Sequence, residues 1–312
     1  SGRFNMILFE GELMYRNDEG TLKDAYQLLP GLSVLFGGLW VANLFYWGCN
    51  QYIIQRALAA ENLKEAKRGL AFAGYLKLLL PLIVVVPGIV AYAIGPEAVT
   101  KGDEAYPWLL GQYVPAGVRG VAFAALVAAI ISSLASMMNS ASTIFTMDLY
   151  RNYVEQEELS ERRLVRIGRV VALVCIVVAT AVAPQLATLD QVFQYIQEYT
   201  GFVSPGVLAI FMLGLFWGKA TPNGALVSVV LSIPLSAGFK FLTPEIAFLN
   251  RMLIVFFVSV ALIVVISLYE GRGEAHPKAV DFGDIEQESD PIYNVAAFGI
   301  LGITAALYAI FW

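Results

Sequence analysis

The 312-residue chain is 58% apolar and only 14% charged, with a mean hydropathy of +0.67, whereas soluble domains carry about 45–50% apolar and about 25% charged residues. Twenty Lys and Arg against 25 Asp and Glu leave a net charge of −5, which excludes a nucleic-acid-binding chain, while the composition excludes an ordinary globular enzyme. One histidine (His276) and two cysteines (Cys49, Cys175) are too few for a His/Cys metal cluster or a disulfide framework, and both cysteines lie in apolar runs as small packing residues.

What remains is a polytopic membrane protein. About 20 apolar residues cross a bilayer as a helix, and helices are required because hydrocarbon offers no water to an open backbone. The chain begins with Ser1–Pro30, polar and of mixed charge, without the basic, apolar and small-residue regions of a signal peptide. It reads as an extramembrane segment joining something earlier.

The first predicted span, Ala25–Gln55, contains Gly37-Gly38 and then Trp40 to Tyr52 with Asn43, Asn50 and Gln51. Glycines are poor helix formers and side-chain amides compete for backbone hydrogen bonds, so this helix can unwind midway. An interfacial aromatic belt is the plainer alternative, but Asn43 lies deeper than a belt should. The second span, Gly69–Gly95, is interrupted only by Lys77. A lysine at the centre of a span costs about 2.5–3.5 kcal/mol, so it should face a partner or a wet cavity, or else snorkel toward the end marked by Arg68. Pro81 and Pro87 permit kinks in the same helix.

The third span, Gly120–Met147, carries Ala128, Ser132, Ser136 and Ser140 at four-residue spacing, with Ser133, Ser142, Thr143 and Thr146 beside them. Hydroxyls with freed carbonyls suit a hard monovalent cation such as Na⁺. Small residues at this spacing equally suit close helix packing in lipid. Val154–Leu164 mixes acids and bases and predicts a short cytoplasmic helix before the fourth span, Val170–Leu189.

The fifth span, Tyr199–Gly218, is entered through Asp190-Gln191-Val192-Phe193-Gln194-Tyr195-Ile196-Gln197-Glu198-Tyr199. Gln194 and Gln197 share a helix face with Asp190, and amides beside aromatic rings suit a neutral polyhydroxylated ligand. A solvated helix end is the alternative. In the sixth span, Ala220–Phe239, Pro222, Gly224, Pro234 and Gly238 should shorten the regular part. The seventh, Met252–Tyr269, leads to the acidic loop Gly271–Asp290, and Pro291–Trp312 is the eighth.

Twelve basic residues fall on one side of these spans and seven on the other, placing both ends outside by the positive-inside rule.

Three runs carry a resemblance: Trp40-Val41-Ala42-Asn43-Leu44-Phe45-Tyr46-Trp47 into Asn50-Gln51-Tyr52-Ile53-Ile54-Gln55-Arg56; Ser132-Ser133-Leu134-Ala135-Ser136-Met137 with Ser142-Thr143-Ile144-Phe145-Thr146-Met147-Asp148; and Phe193-Gln194-Tyr195-Ile196-Gln197-Glu198-Tyr199-Thr200-Gly201. Over essentially its whole length the chain resembles the sodium/solute symporter family, in its sugar branch. The resemblance implies an all-α membrane protein with about eight transmembrane helices, built as the second half of a five-plus-five inverted repeat. Residues 1–30 would be extracellular or periplasmic, 31–218 the second five-helix repeat, and 219–312 three additional helices with the acidic cytoplasmic loop 271–290.

By position, the resemblance assigns Asn43, Lys77 and Gln197 to sugar hydrogen bonding. Tyr46 would close the sugar site on the cytoplasmic side with Trp47 beside it, and Phe193 would be an outer hydrophobic gate. Ser132 and Ser133 would offer hydroxyls to the sodium ion and Ala129 a backbone carbonyl, leaving Ser136 and Ser140 to packing. The family's first five helices are absent from this chain, so it is expected to be a fragment or to pair with another chain that supplies them.

The implied activity is sodium-coupled symport of a galactose- or glucose-like sugar across the cytoplasmic membrane. A symporter of the same fold for an amino acid, vitamin or anion is the nearer alternative: Lys77 suits an anion, the Gln194/Gln197 end a neutral solute. An enzyme is disfavoured because the only histidine, His276, lies in a loop.

Overall fold

The computed structural model describes residues 7, 9–12, 14–16, 22–27, 31–95, 99, 102–154, 160–186, 192–271, 274, 279–280 and 289–311. They form two compact units, Ser1–Asn50 with Phe193–Trp312, and Gln51–Val192. Asp190, Gln191, His276 and most of the acidic loop lie outside the described residues, as do residues 155–159 in the middle of the expected cytoplasmic helix.

The first unit opens with a short antiparallel hairpin, β1 (Met14–Arg16) and β2 (Leu22–Asp24), in which Met14 lies opposite Asp24. The Asp24 carboxylate accepts from the backbone of Gly11 at 2.6 Å and of Tyr26 at 3.0 Å, which fixes the chain beside it. The first span then runs as separate pieces. Helix α1 (Leu32–Leu35) stops at Phe36, α2 (Gly38–Leu44) restarts, and Phe45–Cys49 forms a π-helical turn. Asn50 is extended (φ −90°, ψ 111°) and ends the helix.

Close packing explains the glycine pair. A Cβ on Gly38 would collide with the Leu249 carbonyl, so only glycine lets these two backbones approach, while one on Gly37 would meet its own chain's Ser33 carbonyl and the end of the Leu253 side chain. Val41, Leu208 and Met252 form the buried core above this crossing, with Phe45, Cys49 and Phe256 packed against it.

The second unit contains α3 (Gln51–Leu58), α4 (Leu63–Leu78), a π-helical turn at Pro81–Val85, α5 (Val86–Ile94) and α6 (Ala105–Tyr113). Asn62 caps α4 by accepting from the Glu65 amide at 2.9 Å. The π turn begins at Pro81, where the missing N–H breaks the regular ladder. Helix α7 (Ala116–Thr143) is continuous for 28 residues and passes into a π-helical stretch, Ile144–Val154. Helix α8 (Glu161–Leu186) packs beside it, with the Ser142 hydroxyl donating to the Gly168 carbonyl at 2.9 Å.

Back in the first unit follow α9 (Val192–Thr200), α10 (Ser204–Phe216), α11 (Pro222–Leu242), α12 (Phe248–Gly271) and α13 (Pro291–Ile310). Helices α10, α11 and α12 pack closely on one another. Gly206 of α10 faces Ser232, and Gly224 of α11 faces Ser267, each so closely that a Cβ would fall within 2.8 Å of a hydroxyl. The free cysteines pack as small side chains, neither of them fully buried.

Among the described residues, seven helical segments are long and apolar enough to cross a membrane. Two expectations are corrected. The sixth span is not shortened: α11 runs unbroken for 21 residues. Pro222 sits in its first turn, where no N–H is needed, and Pro234 is carried inside it. The fifth span, by contrast, breaks at Gly201–Val203, and α10 is only 13 residues long. Large apolar side chains such as Phe123, Ile131, Leu173, Val177 and Phe298 remain exposed on the helix surfaces, as lipid-facing residues should.

Candidate functional site

The candidate residues divide between the two units. Asn43, Tyr46, Trp47, Phe193 and Gln197 belong to the first, and Lys77, Ala129, Ser132 and Ser133 to the second.

In the first unit, Asn43 stands on α2 two residues before the π-helical turn. Its amide donates to the Leu39 carbonyl at 2.9 Å, leaving the amide oxygen available on an exposed side chain. Tyr46 and Trp47 lie on the turn itself, edge to face with ring centroids 5.5 Å apart. A π turn widens the helix and redirects the side chains it carries, a device common at functional sites. Here it presents two aromatic rings immediately before the extended Asn50.

Phe193 and Gln197 lie four residues apart on α9, so they occupy one face, and both are exposed. The side chain of Gln194 lies outside the described residues. Glu198, one residue beyond Gln197, accepts from Arg251 at 2.8 Å and from Lys240 at 3.2 Å. The Lys240 ammonium also sits 4.3 Å from the Tyr199 ring centroid. This cluster was not legible in the sequence, because its members are 42 and 53 residues apart.

In the second unit, Lys77 lies near the end of α4, within the continuous helical segment Leu63–Ile94, and its side chain is exposed. Ala129, Ser132 and Ser133 all lie on the regular part of α7 and are exposed within their unit. Ala129 and Ser133 are one turn apart, so their side chains fall on the same face, and in the regular helix the Ala129 carbonyl is directed along the axis toward the Ser133 amide. Uncharged oxygens of this kind are hard donors suited to an alkali cation.

Ser136 is drawn into a polar chain. It donates to the Ser132 carbonyl at 2.9 Å and accepts from Arg56 at 2.5 Å. Gln55 donates to the Ser136 carbonyl at 3.3 Å and accepts from Asn139 at 3.0 Å. Ser136 therefore ties α3 to α7, whereas Ser140 is a buried packing residue.

Residues 8–232 match the Sodium:solute symporter family. The whole chain is 46% identical to the sodium/glucose cotransporter of Vibrio parahaemolyticus, of which it covers 58%. Over 66% of its length it is 40% identical to the rabbit (Oryctolagus cuniculus) sodium/myo-inositol cotransporter 2, covering 33% of that protein. It is 34% identical, over the same share, to zebrafish (Danio rerio) sodium/glucose cotransporter 4, covering 34% of it. The chain thus spans from one third to somewhat over half the length of these curated relatives. A broken first span with aromatic rings at the break, exposed hydroxyls on a long third span and similarity along the full length give one conclusion: the chain belongs to the sodium:solute symporter family.

Proposed function

We propose that this chain is part of a sodium-coupled sugar symporter of the cytoplasmic membrane. The observation that carries the reading is the whole-chain identity of 46% to a protein named as a sodium/glucose cotransporter. The arrangement of polar groups supports it: neutral amides and aromatic rings in the first unit, uncharged hydroxyls in the second.

In this reading Asn43, Lys77 and Gln197 hydrogen-bond the sugar hydroxyls. Tyr46, with Trp47, bars the way to the cytoplasm, and Phe193 covers the outer side. Sodium is held by Ser132 and Ser133 with the Ala129 carbonyl. Its shell and the sugar site are completed by helices outside this chain, in keeping with the greater length of the relatives. Both ends of the chain face outside and the loop 271–290 faces the cytoplasm.

Coupling needs no direct contact between ion and sugar. Sodium need only bind better to the arrangement in which the sugar site is complete, and a coupling of about 1–3 kcal/mol is ordinary. The test is uptake by vesicles containing the full-length transporter. An imposed inward sodium gradient should drive accumulation of glucose or galactose, and the same vesicles with potassium alone should not. Sodium-independent equilibration, or no uptake, would end the proposal. The myo-inositol relatives favour a polyol as a second substrate class, and competition by myo-inositol against amino acids in the same assay separates these.

A further inference from the structure

We infer that Glu198 is a positioning residue: by bridging Lys240 and Arg251 it sets the rotation of α9, and with it the presentation of Phe193 and Gln197 to the sugar. The inference rests on the sugar-site reading above.

Helix α9 has nine residues, about 13 Å of helix, too short to be stable alone. Its continuity with α10 is broken at Gly201–Val203. Something tertiary must therefore fix its rotation, and the contacts that do so converge on one edge. One Glu198 oxygen accepts from Arg251 of α12 at 2.8 Å, and the other from Lys240 of α11 at 3.2 Å. Arg251 also donates to the Lys240 backbone carbonyl at 3.3 Å, which closes the triangle.

The same lysine lies over Tyr199, which stacks on Phe202 at 5.2 Å and meets Tyr195 at 4.4 Å. Phe202, Phe248 and Met252 line the cleft under the three charges. The side chains are 24%, 24% and 12% exposed for Glu198, Lys240 and Arg251, so water screens them only partly.

Successive residues of an α-helix point about 100° apart. Anchoring Glu198 inward therefore turns Gln197, and Phe193 one turn earlier, to the exposed edge. Removing the carboxylate would leave two cations facing each other with no anion between them, and would release the edge that orients α9.

The test uses the full-length transporter. Glu198→Gln should raise the half-saturating sugar concentration about tenfold, within the range a displacement of roughly 1 Å produces. Half-saturating sodium and the maximal rate should change by less than about twofold. Glu198→Asp, which keeps the charge, should recover most of the loss. Lys240→Gln leaves Glu198 paired with Arg251, so it serves should Glu198→Gln fail to fold, and it should shift sugar affinity less, in the same direction. Equal losses in sugar affinity, sodium affinity and rate, without rescue by aspartate, overturn the inference.

A second readout is independent of transport. A spin label at Phe193→Cys, in a background where Cys49, Cys175 and every cysteine of the helices outside this chain are replaced by Ser, should become more mobile when Glu198→Gln is added. An unchanged spectrum overturns the inference. If the parental vesicles take up no sugar, the functional reading falls, and the label alone decides whether Glu198 orients α9.

Discussion

On α11, Ser228, Ser232 and Ser236 recur every fourth residue and all three are buried; on α7, Ser132, Ser136 and Ser140 recur at the same interval and only Ser140 is buried. The difference lies in what each stripe faces. Helix α11 lies between α10 and α12, so its hydroxyls meet carbonyls beyond the helix: Ser228 donates to Ser259 at 3.1 Å and Ser232 to Phe202 at 3.4 Å, with Gly206 giving room opposite. On α7, Ser132 and Ser133 meet no such neighbour within their own unit and stay exposed. Four-residue spacing of small residues therefore does not distinguish packing from binding. It permits close packing, and which helix faces the stripe decides whether its oxygens are covered.

Three substitutions would break or sharpen this contrast, starting with the largest effect. Gly206→Leu forces a side chain into Ser232 and should destabilise the protein by about 1–3 kcal/mol through overpacking. Thermal unfolding in detergent measures it, and an unchanged midpoint would mean that the α10–α11 contact is loose. Ser133→Ala on α7 should raise the half-saturating sodium concentration about tenfold, or ~1.4 kcal/mol. Its stability without sodium should change by no more than about 0.5 kcal/mol, as for an exposed position. A sodium activation curve identical to the parent's would return Ser133 to the packing class. Ser228→Ala removes one buried hydrogen bond and should cost only about 0.6 kcal/mol, the average for such bonds in membranes, with uptake of sodium and sugar unaltered.

Much of the fold was legible because lipid makes the requirement local. Each span must satisfy its own backbone, so apolar length and the absence of charge locate it, and all eight predicted stretches contain helix. The break in the first span was also legible, since Gly37-Gly38 and the amides Asn43 and Asn50 mark where the ladder is weak. The structure adds that Gly38 is needed for the close approach to the Leu249 backbone on α12.

The break in the fifth span was hidden, because Tyr199–Gly218 is a continuous uncharged run and hydropathy does not register a turn at Gly201–Val203. The sixth span misled in the opposite direction. Its prolines looked disruptive, yet Pro222 falls where no donor is required and Pro234 is tolerated inside a helix whose neighbours pack closely around it. The Glu198 bridge was invisible: Glu198 read as one charge at a helix entrance, and nothing local points from it to Lys240 or Arg251.

The sequence by itself determined that this is a helical membrane protein with an interrupted first span, and the runs around Asn43, Ser132 and Gln197 sufficed to place it in its family. Only the tertiary structure decided that the α11 serines are covered and that Ser136 ties α3 to α7, where the fifth span breaks, and which charges meet Glu198. The reason is one of range. Backbone satisfaction in hydrocarbon is settled within each segment, whereas the fate of a side chain depends on which distant helix arrives to face it.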